Sequence, residues 1–133
     1  MNENEIDPLD DIFVESNDGV SRKLISETLK PFITIDPSGN LDFSEEYDKL
    51  INIKKALVYL VSKKAMKLKE VIESEFAKIK EVSEKALISE SDAKNSLCTK
   101  YKKLVENKKN EGYTIPDYKL KKVKEEIFDN GKK

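Results

Sequence analysis

Side chains able to hydrogen-bond a partner or to neutralise an anion gather between Ser91 and Lys109. Ser91, Asp92, Asn95, Ser96 and Thr99 bring hydroxyl, amide and carboxylate groups, and Lys94, Lys100, Lys102, Lys103, Lys108 and Lys109 bring cations. Bond-making chemistry has little to work with. The chain has no histidine, which removes Ser-His-Asp and Cys-His nucleophilic systems, imidazole acid–base work and the usual zinc ligand sets. Cys98 is the single cysteine, so neither an intramolecular disulfide nor a cysteine-based metal site can be built. Gly19, Gly39, Gly112 and Gly131 are far apart, so there is no glycine-rich phosphate loop. Carboxylates, lysines and tyrosines remain, and nothing in the sequence gathers them into a catalytic set. The expectation is a protein that is not an enzyme and carries no cofactor and no metal.

The charge is unevenly spread. Net charge is −1, but residues 1–20 hold seven acids and no base, residues 21–48 sum to −3, 49–70 to +6, 71–93 to −3 and 94–133 to +6. A net charge so near zero argues against a generic polyanion binder. With 133 residues, 38% charged and 38% hydrophobic, the chain has the size of one domain with a modest core, and a helix-rich soluble globule is expected. No apolar run approaches the roughly 20 residues that span a bilayer. The acidic N-terminus has no apolar core of a signal peptide, so the expected location is the cytoplasm and no membrane partner is expected.

The elements that would position the polar stretch can be read from periodicity. Residues 1–19 form an acidic tail, of the kind that stays disordered, with an apolar cluster at Ile12, Phe13 and Val14. That cluster either docks on the domain or binds a protein partner. Ser21 can cap a helix running to about Leu29, and Pro31 ends it. Asp36-Pro37-Ser38-Gly39 has turn chemistry between alternating Ile33, Ile35, Leu41 and Phe43, which predicts a two-stranded hairpin. Ser44 is expected to cap the longest helix, whose Ala56–Val61 run is apolar all round and predicts a buried spine. Lys54, Lys55, Lys63, Lys64, Lys67 and Lys69 are expected on its exposed side as a solvated face. A break is expected near Ile72–Glu75. Ile79, Val82 and Ala86 then share a face of one short helix, Leu87 and Ile88 form a joint, and Ser89 caps a second helix whose stripe is Ala93, Leu97, Tyr101 and Leu104. A hairpin near 105–115 turns at Asn110, Glu111 and Gly112, and Pro116 stops it. Asp117 can cap a last helix carrying Leu120, Val123, Ile127 and Phe128. The residues alone therefore give a mainly α fold with short β-hairpins.

From Val82 to Leu97, Val-Ser-Glu-Lys-Ala-Leu-Ile-Ser-Glu-Ser-Asp-Ala-Lys-Asn-Ser-Leu, the order of apolar, polar and small positions resembles the helix-turn-helix proteins, with Leu87 where that family usually has glycine. A core helix before it and a hairpin after it extend the resemblance, over roughly residues 45 to 116, to the winged helix-turn-helix superfamily. The implied organisation is a tail at 1–19, a helix plus β-hairpin extension at 20–43 and a winged helix-turn-helix domain at 44–131. The resemblance implies double-stranded DNA as partner and a small transcriptional regulator or DNA-associated accessory protein. The helix at 89–104 would enter the major groove and the wing near 105–115 would lie beside it. Ser91, Asp92, Asn95, Ser96 and Thr99 would face base edges, with Asn95 suited to adenine. Lys94, Lys100, Lys102, Lys103, Lys108 and Lys109 would meet phosphates, and the long-helix lysines offer a second such surface. Two residues speak against strong base reading. The only arginine, Arg22, is remote in sequence, and Asp92 would repel phosphate. A winged helix that binds protein instead of DNA is the alternative, and a homodimer could form through the N-terminal, long or C-terminal helix.

Thr34 to Glu45 is also similar to the loop of the EF-hand proteins. Asp36, Ser38, Gly39, Leu41, Asp42 and Glu45 fall on that family's third, fifth, sixth, eighth, ninth and twelfth positions, although Thr34 stands where the first ligand is usually Asp. That resemblance implies a calcium site, and the hairpin is the competing expectation.

Overall fold

Six consecutive residues, Ala56 to Val61, are between 0 and 3% exposed, and the helix that carries them is the axis of the molecule. The computed structural model describes residues 18–129. It is mainly helical, with two small antiparallel hairpins. The axial helix α3 (Asn52–Leu68) is surrounded by α1 (Asp18–Leu29), α4 (Ile79–Ala86), α5 (Glu90–Lys94) and α6 (Leu120–Phe128), while α2 (Glu45–Asp48) is a single turn ahead of it. Its all-round apolar run is thus covered on every side, as the sequence requires.

The same enclosure overturns the expected lysine face. Lys54, Lys63 and Lys64 are buried, and only Lys67 and Lys69 of the six are fully exposed. Aliphatic stems lie against the surrounding helices while each ammonium reaches an oxygen. Lys54 donates to the Asp129 carbonyl, Lys63 sits 2.7 Å from Glu81, and Lys64 lies 3.1 Å from Glu75 and 2.7 Å from Asp117.

Ser44 does cap a helix, accepting the Tyr47 N–H at 3.3 Å, but that helix is α2 and not α3. Tyr47 anchors this turn, stacking on Phe43 with ring centroids 4.0 Å apart and donating to the Ala86 carbonyl at 2.5 Å. The chain then runs extended through Ile51 before α3 starts without a side-chain cap. At the other end, Asp117 does not cap α6; Lys119 occupies that position and the Asp117 carboxylate pairs with Lys64.

Helix α1 begins three residues before Ser21 and ends ahead of Pro31. Ile25, Leu29, Phe32 and Ile33 belong to the same core as Leu97 and Ile127, Glu27 pairs with Lys124 of α6 at 2.8 Å, and Phe32 stacks on Phe128. The Ile12–Val14 cluster lies outside the described residues.

Strands β1 (Ile33–Ile35) and β2 (Leu41–Phe43) pair as Ile33 with Phe43 and Ile35 with Leu41. At their turn, Asp36 Oδ1 accepts the N–H groups of Ser38 and Asn40, and Oδ2 accepts the Asn40 side chain. The Asn40 N–H leads in holding the Asp36 carboxyl below its ordinary range. The calcium-loop alternative does not describe this segment. Thr34 and Asp42 face each other across two strands, Asp36 is spent on its own turn, and Glu45 opens α2. Among the described residues no group of three or more Asp, Glu or Cys is placed to hold a metal ion.

Beyond α3 the chain turns back through Glu70 in the left-handed region (φ 60°) and Val71, whose N–H bonds the Met66 carbonyl at 2.8 Å. An extended stretch follows to Ala77, which exchanges two backbone hydrogen bonds with Tyr113, at 2.9 and 2.7 Å. Tyr113 lies on β4 (Gly112–Thr114), which pairs with β3 (Glu106–Lys108).

Leu87, between α4 and α5, is also left-handed, at φ 65° and ψ 46°, with its side chain 69% exposed. An L-residue in this conformation costs roughly 1–2 kcal/mol, against roughly 0.5–1 kcal/mol of extra chain entropy that glycine loses on folding. Leu87→Gly should therefore raise stability by about 0.5–1 kcal/mol, read as a higher urea midpoint at unchanged m-value. A lower midpoint would mean that Leu87 packs in a way its exposure denies.

Candidate functional site

The α4–turn–α5 unit is built by short-range rules. Val82 and Ala86 bury the inner face of α4, and Ile88 is the buried residue of the turn. The Ser83 hydroxyl donates to the Ile88 carbonyl at 2.6 Å and the Ile88 N–H bonds the Ser83 carbonyl at 3.1 Å, closing the end of α4. Ser89 then caps α5, accepting the Asp92 N–H at 3.0 Å, with Glu90 and Asp92 in the first turn where negative charge is favoured.

Helix α5 does not run straight to Leu104. It passes into a π-helical turn at Asn95–Lys100, where the Tyr101 N–H reaches the Ser96 carbonyl at 2.7 Å, and ends in a 3₁₀ turn at Lys102–Leu104. Turns of this kind cluster at functional sites. Across the whole segment, Ala93, Ser96, Leu97 and Tyr101 face the core, while Ser91, Lys94, Asn95, Cys98, Thr99 and Lys102 are exposed.

Two of the expected base-facing residues are elsewhere. Ser96 is 0% exposed and its hydroxyl donates to the Ile53 carbonyl at 2.6 Å, so it ties α5 to α3 and faces no groove. Asp92 is turned onto α3 as well, accepting from the Asn52 side-chain amide at 2.7 Å. There it sets negative charge at the start of a helix that has no acid in its own first turn. Ser91, Asn95 and Thr99 do share the exposed side.

The lysines divide into three groups. Lys94 is exposed beside Asn95, and Lys102 joins Cys98 and Leu97 in lining a cleft of about 380 Å³ against Val105, Asn107 and Tyr113 of the hairpin. Lys100 and Lys103 line a second cleft, toward α6, with Lys122, Glu125 and Glu126, and Thr99 and Lys102 border that one too. Lys108 and Lys109 are on the hairpin, where Lys108 stands 3.5 Å from Glu111 and 5.6 Å from the Phe76 ring centroid. Asn107 and Cys98 were not singled out from the sequence as members of this surface. A period of three to four from Ser91 passes through Lys94, Asn95, Cys98 and Lys102, and would have found Cys98.

Inside the cleft, Cys98 Sγ and the Tyr113 hydroxyl are 3.0 Å apart. That hydrogen bond, with burial second, pushes the Tyr113 phenol up to about 12, so it stays neutral at physiological pH. Behind the hairpin, Glu75 Oε2 accepts both the Lys64 ammonium and the Thr114 hydroxyl, the latter at 2.8 Å. Lys64 thereby links α3 to strand β4 and, through Asp117, to the approach to α6.

No family model, no curated protein and no solved structure matches this chain.

Proposed function

We propose that residues 52–115 form a winged helix-turn-helix and that the protein binds double-stranded DNA, as a small transcriptional regulator or DNA-associated accessory protein. The observation that carries the reading is the exposed side of the second helix. Ser91, Lys94, Asn95, Cys98, Thr99 and Lys102 lie on it, with Glu90 its exposed acid at the helix start, and a hairpin stands beside it. Asp92, the residue most at odds with a phosphate-rich partner, is occupied by Asn52. The chain order supports the same fold: a core helix, a strand stub at Ala77, two helices with a tight turn, then a hairpin whose inner strand pairs with the stub.

In this reading Asn95 makes paired hydrogen bonds to adenine, Ser91 and Thr99 add single ones, and Lys94, Lys102, Lys108 and Lys109 grip phosphates. With no arginine in the segment, most of the affinity is electrostatic. Four phosphate contacts give a slope of log K against log salt of roughly −3 to −4. Fluorescence anisotropy with a labelled duplex across a salt series tests this. Lys94→Glu with Lys102→Glu should flatten the slope by about 2, whereas Lys100→Glu with Lys103→Glu, on the α6 side, should leave it nearly unchanged. Absence of binding at about 50 mM salt, or equal effects of the two pairs, would overturn the assignment.

A further inference from the structure

We infer that the Ile12-Phe13-Val14 cluster of the acidic N-terminal segment seats in an apolar groove at the C-terminal end of α3. The groove, about 330 Å³, is lined by Ile35, Pro37, Ala65, Met66 and Val71, with Lys69 beside them. Asp36 also borders it, but its carboxylate is taken up by its own turn. In the size range where pockets begin to hold ligands, a nearly all-apolar lining suits an aromatic or branched aliphatic side chain.

Three observations choose the occupant. The first is tethering. Arg22, one turn into α1, donates to the Leu68 carbonyl at 3.3 Å, so α1 begins close to the residue that precedes Lys69. Val14 is four residues before the first residue of α1, a span of at most about 14 Å when extended. The cluster is therefore held near the groove at high effective concentration, and weak intrinsic contacts suffice.

The second is charge. Asp10, Asp11 and Glu15 flank the cluster, and residues 1–17 hold no base. Lys69 lines the groove, and exposed Arg22 reaches the carbonyl of the residue before it, so two cations stand at that end of α3. The third is composition. Ile12-Phe13-Val14 is the longest unbroken apolar run in the first 17 residues, and Phe13 is the one aromatic residue there. This seat is independent of the DNA reading and stands or falls by itself.

The test is site-specific photocrosslinking in the full chain, with p-benzoyl-phenylalanine in place of Phe13 and, as control, in place of Glu3. Mass spectrometry should find the position-13 crosslink within the same chain on residues 65–71 or 35–37, at several-fold higher yield than from position 3. Crosslinks that join two chains, that fall on the exposed side of α5, or that do not exceed the control would each overturn the proposal. Lys69→Glu, an exposed change that leaves the groove's apolar lining intact, should cut the specific yield several-fold, and an unchanged yield would also overturn it.

Discussion

Gly112→Ala should destabilise the fold by about 3–5 kcal/mol, enough to unfold much of a protein of ordinary stability. A β-carbon at this position would stand 2.4 Å from the Ala77 carbonyl carbon and oxygen and 2.7 Å from the Lys78 nitrogen. All three are backbone atoms, so no rotamer change makes room. Gly112 also has φ +111°, a conformation that costs an L-residue a further 1–3 kcal/mol or so. Relief requires moving β4 away from Ala77, which breaks the two hydrogen bonds between Ala77 and Tyr113. Urea denaturation of the two proteins measures the loss. Gly39→Ala is the internal comparison, because its β-carbon would meet the Val71 Cγ1 side-chain atom at 3.0 Å and the neighbour can give. Its loss should be about 1–2 kcal/mol, mostly backbone strain. If Gly112→Ala proves no worse than Gly39→Ala, the pairing of Ala77 with the hairpin is not what holds β4 in place.

The second large effect is expected at Lys64. Its side chain is 5% exposed and lies between Glu75 and Asp117, which are 27% and 33% exposed. Truncation to alanine removes the cation and leaves two carboxylates together. Breaking a fully buried pair this way costs roughly 3–5 kcal/mol, and partial solvation of the acids reduces that to about 2–4 kcal/mol here. A buried ion pair is often replaceable by apolar residues of similar volume. Lys64→Met combined with Glu75→Gln and Asp117→Asn should therefore recover most of the stability that Lys64→Ala loses. Thermal unfolding of the wild type and the two variants distinguishes the cases. If the triple variant is no more stable than Lys64→Ala, the ion pairs of Lys64 are themselves net stabilising and a neutral replacement does not stand in for them.

Much of the fold was legible because the signals were local. The cap at Ser89, the Asp36–Gly39 turn, the stop before Pro31 and the apolar run at Ala56–Val61 each follow from a few neighbouring residues, and each is found in place. What was not legible depended on partners distant in sequence. Lys63 and Lys64 read as surface residues because lysine is seldom buried, and the acids that permit it, Glu81, Glu75 and Asp117, lie 11 to 53 positions away. Ser96 and Asp92 read as outward-facing because helical spacing alone could not reveal that α3 approaches from that side through Ile53 and Asn52. Leu87 is the converse case. The missing glycine weakened the sequence pattern, yet the chain takes the left-handed turn there and bears the strain.

The core of this protein has a consequence for the order in which it can form. Ile25, Leu29 and Phe32 are buried in a cluster that also takes Leu120, Val123 and Ile127, and the pairing of Glu27 with Lys124 spans 97 positions. A ribosome adding roughly 5–20 residues per second needs about 5–20 s to travel from Ile25 to Ile127. Through that interval the first helix of the nascent chain can meet α3 but lacks α6, its other partner in the core. Completion of the fold waits on the last helix to be made.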